Sequence, residues 1–282
     1  MRKAWVGISL IFVAFPAFAA VEYDFIQRTQ SDIEQMRPST LTGRAIIDGD
    51  RSRVDFLTGD LYPPDTYCIS LNGSRTLTFV DPGLKSYTEI NSASVASSIG
   101  ASNITLTNLK SDLQKLDDHP TLAGISTEHY RLTISFDMTV QYRSMPLRQS
   151  VLTEIDKWTS IEFGDISDTF LAANSIRTGN AQLDAVMDLE TTKIKGFPLK
   201  QTVKITTRNL QGAIAGSKLG LSEVRTQSRE LIVTSIRRMT PAPSAFLFPK
   251  SYRRNDTQAI AEKQAQTQVT VLSFEEGKTQ EK

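Results

Sequence analysis

The chain has 282 residues, with 32 Lys and Arg against 31 Asp and Glu, two His and one Cys. So even a charge balance excludes the basic face on which nucleic acid is held electrostatically. A lone Cys68 excludes an intrachain disulfide, and two His fall short of the three or four convergent N or S ligands of a zinc centre.

At the N-terminus, Arg2 and Lys3 precede an apolar run from Ala4 to Phe15, then Pro16 and Ala17-Phe18-Ala19. A basic start, a short apolar core and an A-x-A site predict a secretory signal peptide over 1–19, too short to span a bilayer. Ala20, not Cys, follows the expected cleavage site, so no lipid anchor is expected and the mature chain should be soluble. No later stretch reaches the ~18 apolar residues of a transmembrane helix. A secreted chain of this length without a disulfide suits a bacterial periplasm.

Strands joined by turns follow. "VEYDFIQRTQ" (21–30) alternates Val21, Tyr23 and Phe25 with polar residues. "LTGRAIIDGDRSRVDFL" (41–57) reads as a hairpin whose loop at 49–52 sets Ile47 opposite Val54, Ala45 opposite Phe56 and Asp48 opposite Arg53. "DTYCISL" (65–71) makes Cys68 a buried small hydrophobe on a strand. "SRTLTFVDPGLKSYTEI" (74–90) is a second hairpin turning at Pro82-Gly83. Further strands are expected in "NITLTNLKSDLQKL" (103–116), "GISTEHYRLTISFDMTVQYRSM" (124–145), "SVLTEIDKWTSIEF" (150–163), "PLKQTVKITTRNL" (198–210) and "SEVRTQSRELIVTSIRRM" (222–239). Helical signals are short: "SASVASSIG" (92–100), "SDTFLAANSI" (167–176) with Ser167 as N-cap, and "NAQLDAVMDL" (180–189) with Leu183, Val186 and Met187 at helical spacing. One domain over 20–252 is expected, with a polar tail over 253–282 that is either a solvated helix or disordered.

Over 130–142, Tyr130, Leu132, Ile134, Phe136, Met138, Val140 and Tyr142 alternate without a break against polar residues. That is one long strand with an oily face and a wet face. The oily face must be buried against something, and a large twisted sheet curls. A mainly β fold follows, built on a single curved antiparallel sheet with short helices across its concave face. An apolar cavity is expected among Ile47, Val54, Phe56, Ile134, Phe136 and Met138.

Several stretches carry a resemblance consistent with this. "GRAIIDGDRSRVDF", "VDPGLKSYTEI", "GISTEHYRL", "EIDKWTSIEF" and "KGFPLKQTVKI", closing with "FLFPKSYRR", resemble an uncharacterised periplasmic family of the LolA and LppX lipoprotein-carrier fold. The landmarks run in order over 21–252. The resemblance implies a half-open antiparallel barrel with helices over its mouth, and a habit of holding lipid or another apolar guest. No ligand-binding motif of the true carriers matches position by position, so no functional residue is carried over.

Nothing nominates an enzyme or a cofactor. His119 in "LDDHP" belongs to a solvated loop, with Asp117 and Asp118 beside it. His129 shares a face with Arg131 and is expected to be exposed on its strand. Glu154 and Asp156 share a strand face beside Lys157 and Glu162 as ordinary outer surface, short of a glycosidase pair. "GAIAGSKLG" (212–220) lacks the spacing of a phosphate-binding loop. Trp158 reads as a half-buried surface anchor, with a bulge in its strand as the alternative. Arginines in "RNLQ", "RTQSRE" and "SIRRM" read as a solvated convex face rather than a site for anionic headgroups. The expected function is non-enzymatic: the protein binds an apolar or lipid-like molecule, or a lipidated protein, in the periplasm. The alternative is an interaction module that fills its own core and presents a surface or sheet edge to an envelope protein partner.

Overall fold

A computed structural model describes residues 20–32, 37–60, 62–73, 75–91, 104–142, 145–164, 166, 180–210 and 224–255. The signal segment, the helices expected at 92–100 and 167–176, the stretch 212–220 and the tail from 256 lie outside the described residues.

Alternating apolar and polar residues extend the chain into long strands. They are β1 (Ala20–Ser31), β2 (Ser39–Asp48), β3 (Arg51–Gly59), β4 (Tyr67–Ser70), β5 (Thr76–Asp81), β6 (Ser86–Asn91) and β7 (Ile104–Leu116). A small ribbon, β8 (Thr121–Leu122) and β9 (Ile125–Ser126), precedes β10 (Glu128–Tyr142) and β11 (Met145–Ser160). The helix α1 (Ala181–Lys193) is followed by β12 (Phe197–Asn209), β13 (Val224–Met239) and β14 (Arg253–Arg254). All but the ribbon join one open, curved 12-stranded sheet in the order β14-β6-β5-β4-β3-β2-β1-β13-β12-β11-β10-β7. Every pairing is antiparallel except β14 along β6. The sheet therefore takes in Arg253 and Arg254, which the sequence reading assigned to the tail.

Cross-strand register defines the faces. Leu113, Leu132, Ile155, Val203, Arg229 and Thr29 oppose one another in turn across β7, β10, β11, β12, β13 and β1. Directly opposed residues share a face, so this row marks the inner side. The side chains of the 130–142 stretch behave as their alternation demands: Leu132, Ile134, Phe136 and Met138 are buried there.

The β2–β3 hairpin differs from the sequence reading. Asp48 opposes Arg51, Ile47 opposes Ser52 and Ala45 opposes Val54, so the loop is the pair Gly49-Asp50. Gly49 has φ +57°. A positive φ at the first central position suits a two-residue hairpin loop, and glycine adopts it without steric cost. The hairpin's ion pair is consequently Asp48–Arg51. The β5–β6 hairpin turns at 82–85 as expected, with Asp81 opposite Ser86, and Asp81 Oδ1 accepts from the Leu84 amide at 2.9 Å.

The helix starts where Asn180 caps it, its Oδ1 accepting from the amides of Gln182 and Leu183 at 3.0 and 3.2 Å. The same end closes part of the β7 edge. Gln182 accepts from the Leu106 amide at 2.9 Å and donates to the Leu106 carbonyl at 3.3 Å, as a neighbouring strand's peptide would. Asn180 Nδ2 donates to the Ile104 carbonyl at 3.0 Å. Farther along β7, a bulge opposite Ser135–Asp137, Asn108 at φ +56° and the charged Lys110, Asp112 and Lys115 discourage strand addition.

Candidate functional site: the inner face of the sheet

The inner face carries apolar side chains in two clusters. One gathers Val21, Tyr23, Phe25, Ile47, Val54 and Phe56 with Cys68, Phe197 and Leu199. Its aromatic rings are closely set: Tyr62 stacks on Phe56 at 4.1 Å between centroids and reaches Phe79 at 5.7 Å. Tyr23 meets the Phe197 ring edge-on at 5.3 Å. Gly43 admits this packing, because Phe25 lies directly opposite it across β1–β2 and covers the place of a side chain. Burial pushes the Cys68 thiol far above its ordinary range, as it must for a thiolate in apolar surroundings, so Cys68 is the inert hydrophobe expected.

The second cluster joins Ile104 and Leu106 of β7, Leu132, Ile134, Phe136 and Met138 of β10, and Val151 and Ile155 of β11. Leu183, Val186 and Leu189 of α1 pack against it, so the helix lies over this end of the face. The six residues expected to line a cavity thus share one face but not one cluster. Ile47, Val54 and Phe56 belong to the first, and Ile134, Phe136 and Met138 to the second.

Between the clusters the face turns polar. Tyr130, Lys157, Gln201, Leu231 and Gln27 form one row across β10, β11, β12, β13 and β1. The next row brings Arg229 between Val203 and Thr29. The arginines of "RTQSRE" were read as convex surface, and the register corrects this for Arg225 and Arg229. The buried Leu231 and Val233 fix the parity of β13, and Arg225 and Arg229 share it. That parity was available in the sequence, once Leu231 and Val233 were taken to set the inward side.

The outer face holds ion pairs and a compact polar cluster around His129. This histidine lies on the expected face but is buried, not exposed. Its Nδ1 is 2.6 Å from Asp118 Oδ1 and its Nε2 3.0 Å from Asp156 Oδ1, while its ring stacks on Trp158 at 4.0 Å. The neutral ring can donate to one of these carboxylates, the imidazolium to both. Asp118 sits in the connection after β7, and folding it back over the sheet is what covers the ring. The hydrogen bond from His129, with another from Trp158 Nε1, holds the Asp118 carboxyl below the usual carboxylate range. Arg131 donates to Asp156 at 2.9 Å and the Lys200 ammonium lies 4.8 Å from the Trp158 ring centre. Trp158 is therefore the half-buried surface anchor expected, although β11 also bulges beside it against β12. His119 is exposed in its loop. Among the described residues no group of His, Cys, Asp and Glu could hold a metal ion.

A third apolar cluster covers the outer face at the other end. Phe246 packs with Tyr67, Ile69 and Val80, flanked by Phe248 and Tyr252, so β4 is buried on both sides. Beside it lies an open hollow of about 340 Å³ lined by Arg44, Arg53, Asp55, Leu57, Asp65 and Tyr67. Its most buried cation is fully engaged: Arg53 bonds Asp55 and the Ala245 carbonyl, and lies 4.0 Å over the Tyr67 ring.

No family model matches the chain, and no curated protein does. Among solved structures it is similar to a LolA superfamily protein from Nitrosomonas europaea, at 10% identity and a TM-score of 0.30, over 83% of this chain and 92% of that one. It is also similar to a structure of lipid–protein interactions in lipovitellin, at 9% identity and a TM-score of 0.27. That match covers 83% of this chain and spans 28% of the other. No described helix is long and apolar enough to cross a membrane.

Proposed function

We propose that the protein, a single domain from residue 20 through β14 freed of its signal segment in the periplasm, binds an apolar or lipid-like molecule on its inner face. A lipidated protein would present the same chemistry. The observation that supports this is the pair of apolar clusters on the inner face, one around Ile47 and Phe56 and the other around Phe136 and Met138, on a sheet whose outer face is salt-bridged. Binding would draw on the transfer of apolar surface out of water, about 25 cal/mol per Å² buried, with no covalent step. Ile47, Val54, Phe56, Ile134, Phe136 and Met138 are the proposed lining.

A second reading is favoured by one observation: Ile47, Val54 and Phe56 are at most 1% exposed. A core that fills itself would leave the protein to act through its surface on an envelope partner. A fluorescent fatty-acid analogue separates the two. Under the binding reading it saturates at a fixed stoichiometry, and Val54→Trp weakens it while the fold persists. Under the second reading no saturable binding occurs, and Val54→Trp costs about 1–3 kcal/mol of stability by overpacking.

A further inference from the structure

The charges of the central strands are sorted by face. Across β11, β12, β13, β1 and β2, every acidic side chain has outward parity: Glu154, Asp156, Glu230, Glu22, Asp24 and Asp48. Each has an outer-face partner. Arg28 holds Glu230 at 3.1 Å, Arg44 holds Asp24 at 2.8 Å, and Lys204 holds Glu154 at 3.4 Å. Arg131, Arg237 and Arg51 hold Asp156, Glu22 and Asp48. The inward parity of the same strands carries Lys157, Arg225, Arg229 and Arg238 and no carboxylate. Among the described residues, no hydrogen bond or ion pair engages Arg229. It is half-buried, between Val203 of the second apolar cluster and Leu231 of the first, with Gln27, Gln201 and Gln227 around it.

A half-buried guanidinium with no counter-ion among the described residues, on strands whose inward parity carries no carboxylate, asks for an anion from outside the sheet. The apolar clusters on either side ask for a hydrocarbon chain. We propose that the inner face takes an anionic acyl lipid, its chain along the clusters and its headgroup on the Arg229 guanidinium, which rests on the reading of this face as the binding surface. The planar fork of arginine matches the paired oxygens of a carboxylate or a phosphate. Partial withdrawal from water strengthens that contact relative to one on an exposed surface.

The test holds the chain constant and changes the headgroup. Dodecanoate, dodecyl phosphate and dodecanol are compared as competitors of the neutral fluorescent reporter N-phenyl-1-naphthylamine on the full mature chain. At least one anion should outcompete the alcohol by about tenfold or more, the scale of a hydrogen bond to a charged group. Whichever anion binds more tightly identifies the headgroup class. Arg229→Gln should abolish the preference and leave dodecanol binding unchanged, and Arg229→Lys should restore part of it. No described residue hydrogen-bonds or ion-pairs with Arg229, so thermal unfolding of these variants should match the parent. Equal binding of all three competitors, or a uniform loss in Arg229→Gln, overturns the headgroup assignment alone. Failure of the reporter and of all three competitors to bind overturns the inner-face reading as well.

Discussion

Gly43→Ala is a one-carbon change aimed at the floor of the first cluster. A Cβ built there would lie 2.6 Å from Phe25 Cζ, 2.7 Å from Phe25 Cε1 and 2.9 Å from the Asp55 carbonyl oxygen. None of these can yield cheaply. The Phe25 ring is 1% exposed, and the carbonyl belongs to the adjacent strand of the sheet. Overpacking of this kind costs about 1–3 kcal/mol, and the loss of glycine's excess backbone entropy returns about 0.5–1 kcal/mol. A net loss of about 1–2 kcal/mol is expected. For a domain of this size that lowers Tm by roughly 2–8 °C. Urea titration followed by far-UV circular dichroism should show the midpoint falling with the slope unchanged. Phe25→Leu combined with Gly43→Ala should cost less than the sum of the single changes, because the smaller side chain removes the obstruction. A Gly43→Ala protein as stable as the parent would refute the packing described for Phe25.

Phe136→Asp should destabilise by several kcal/mol or prevent folding, since it places an unpaired charge in the second cluster, whereas Ser135→Asp on the outer face should cost less than about 1 kcal/mol; equal costs would mean β10 is not two-faced. The Cys68 thiol should resist iodoacetamide in the native state and react on unfolding, so rapid alkylation of folded protein would contradict its burial. Arg44 holds the Asp24 carboxyl below its ordinary range, with Ser235 assisting and burial opposing. A depressed carboxylate contributes stability that is fully present above the unfolded value near 3.9 and is lost as the pH falls through the lower folded value. Urea titrations at neutral pH and near pH 3 should therefore show Asp24→Asn less stable than the parent by about 0.2–1 kcal/mol at neutral pH, the gap narrowing in acid. A gap that widens in acid would reverse the assigned sign.

What the sequence disclosed depended on the range of the interaction concerned. Two-residue alternation over 130–142 gave the strand and its inward residues, because pleat parity is a local property. Helical spacing of Leu183 and Val186 found α1 for the same reason. The β2–β3 loop was misjudged by two residues, since "DGDRS" offers several turn residues and only the backbone at Gly49 selects among them. Burial of His129 was not legible, because it depends on Asp118 returning over the sheet and on Trp158 arriving from the next strand. Arg229 was misplaced for a different reason: polar residues were assigned outward by type, although Leu231 and Val233 beside them already set the parity.

The central claim is that the inner face holds an apolar guest, and native mass spectrometry of the full protein purified gently from the cells that make it tests this most directly. The account predicts a discrete mass adduct that denaturation releases, that organic extraction recovers as an acyl lipid, and that diminishes in Arg229→Gln. Protein recovered at its apo mass, with nothing extractable and no uptake of added fatty acid, would contradict it.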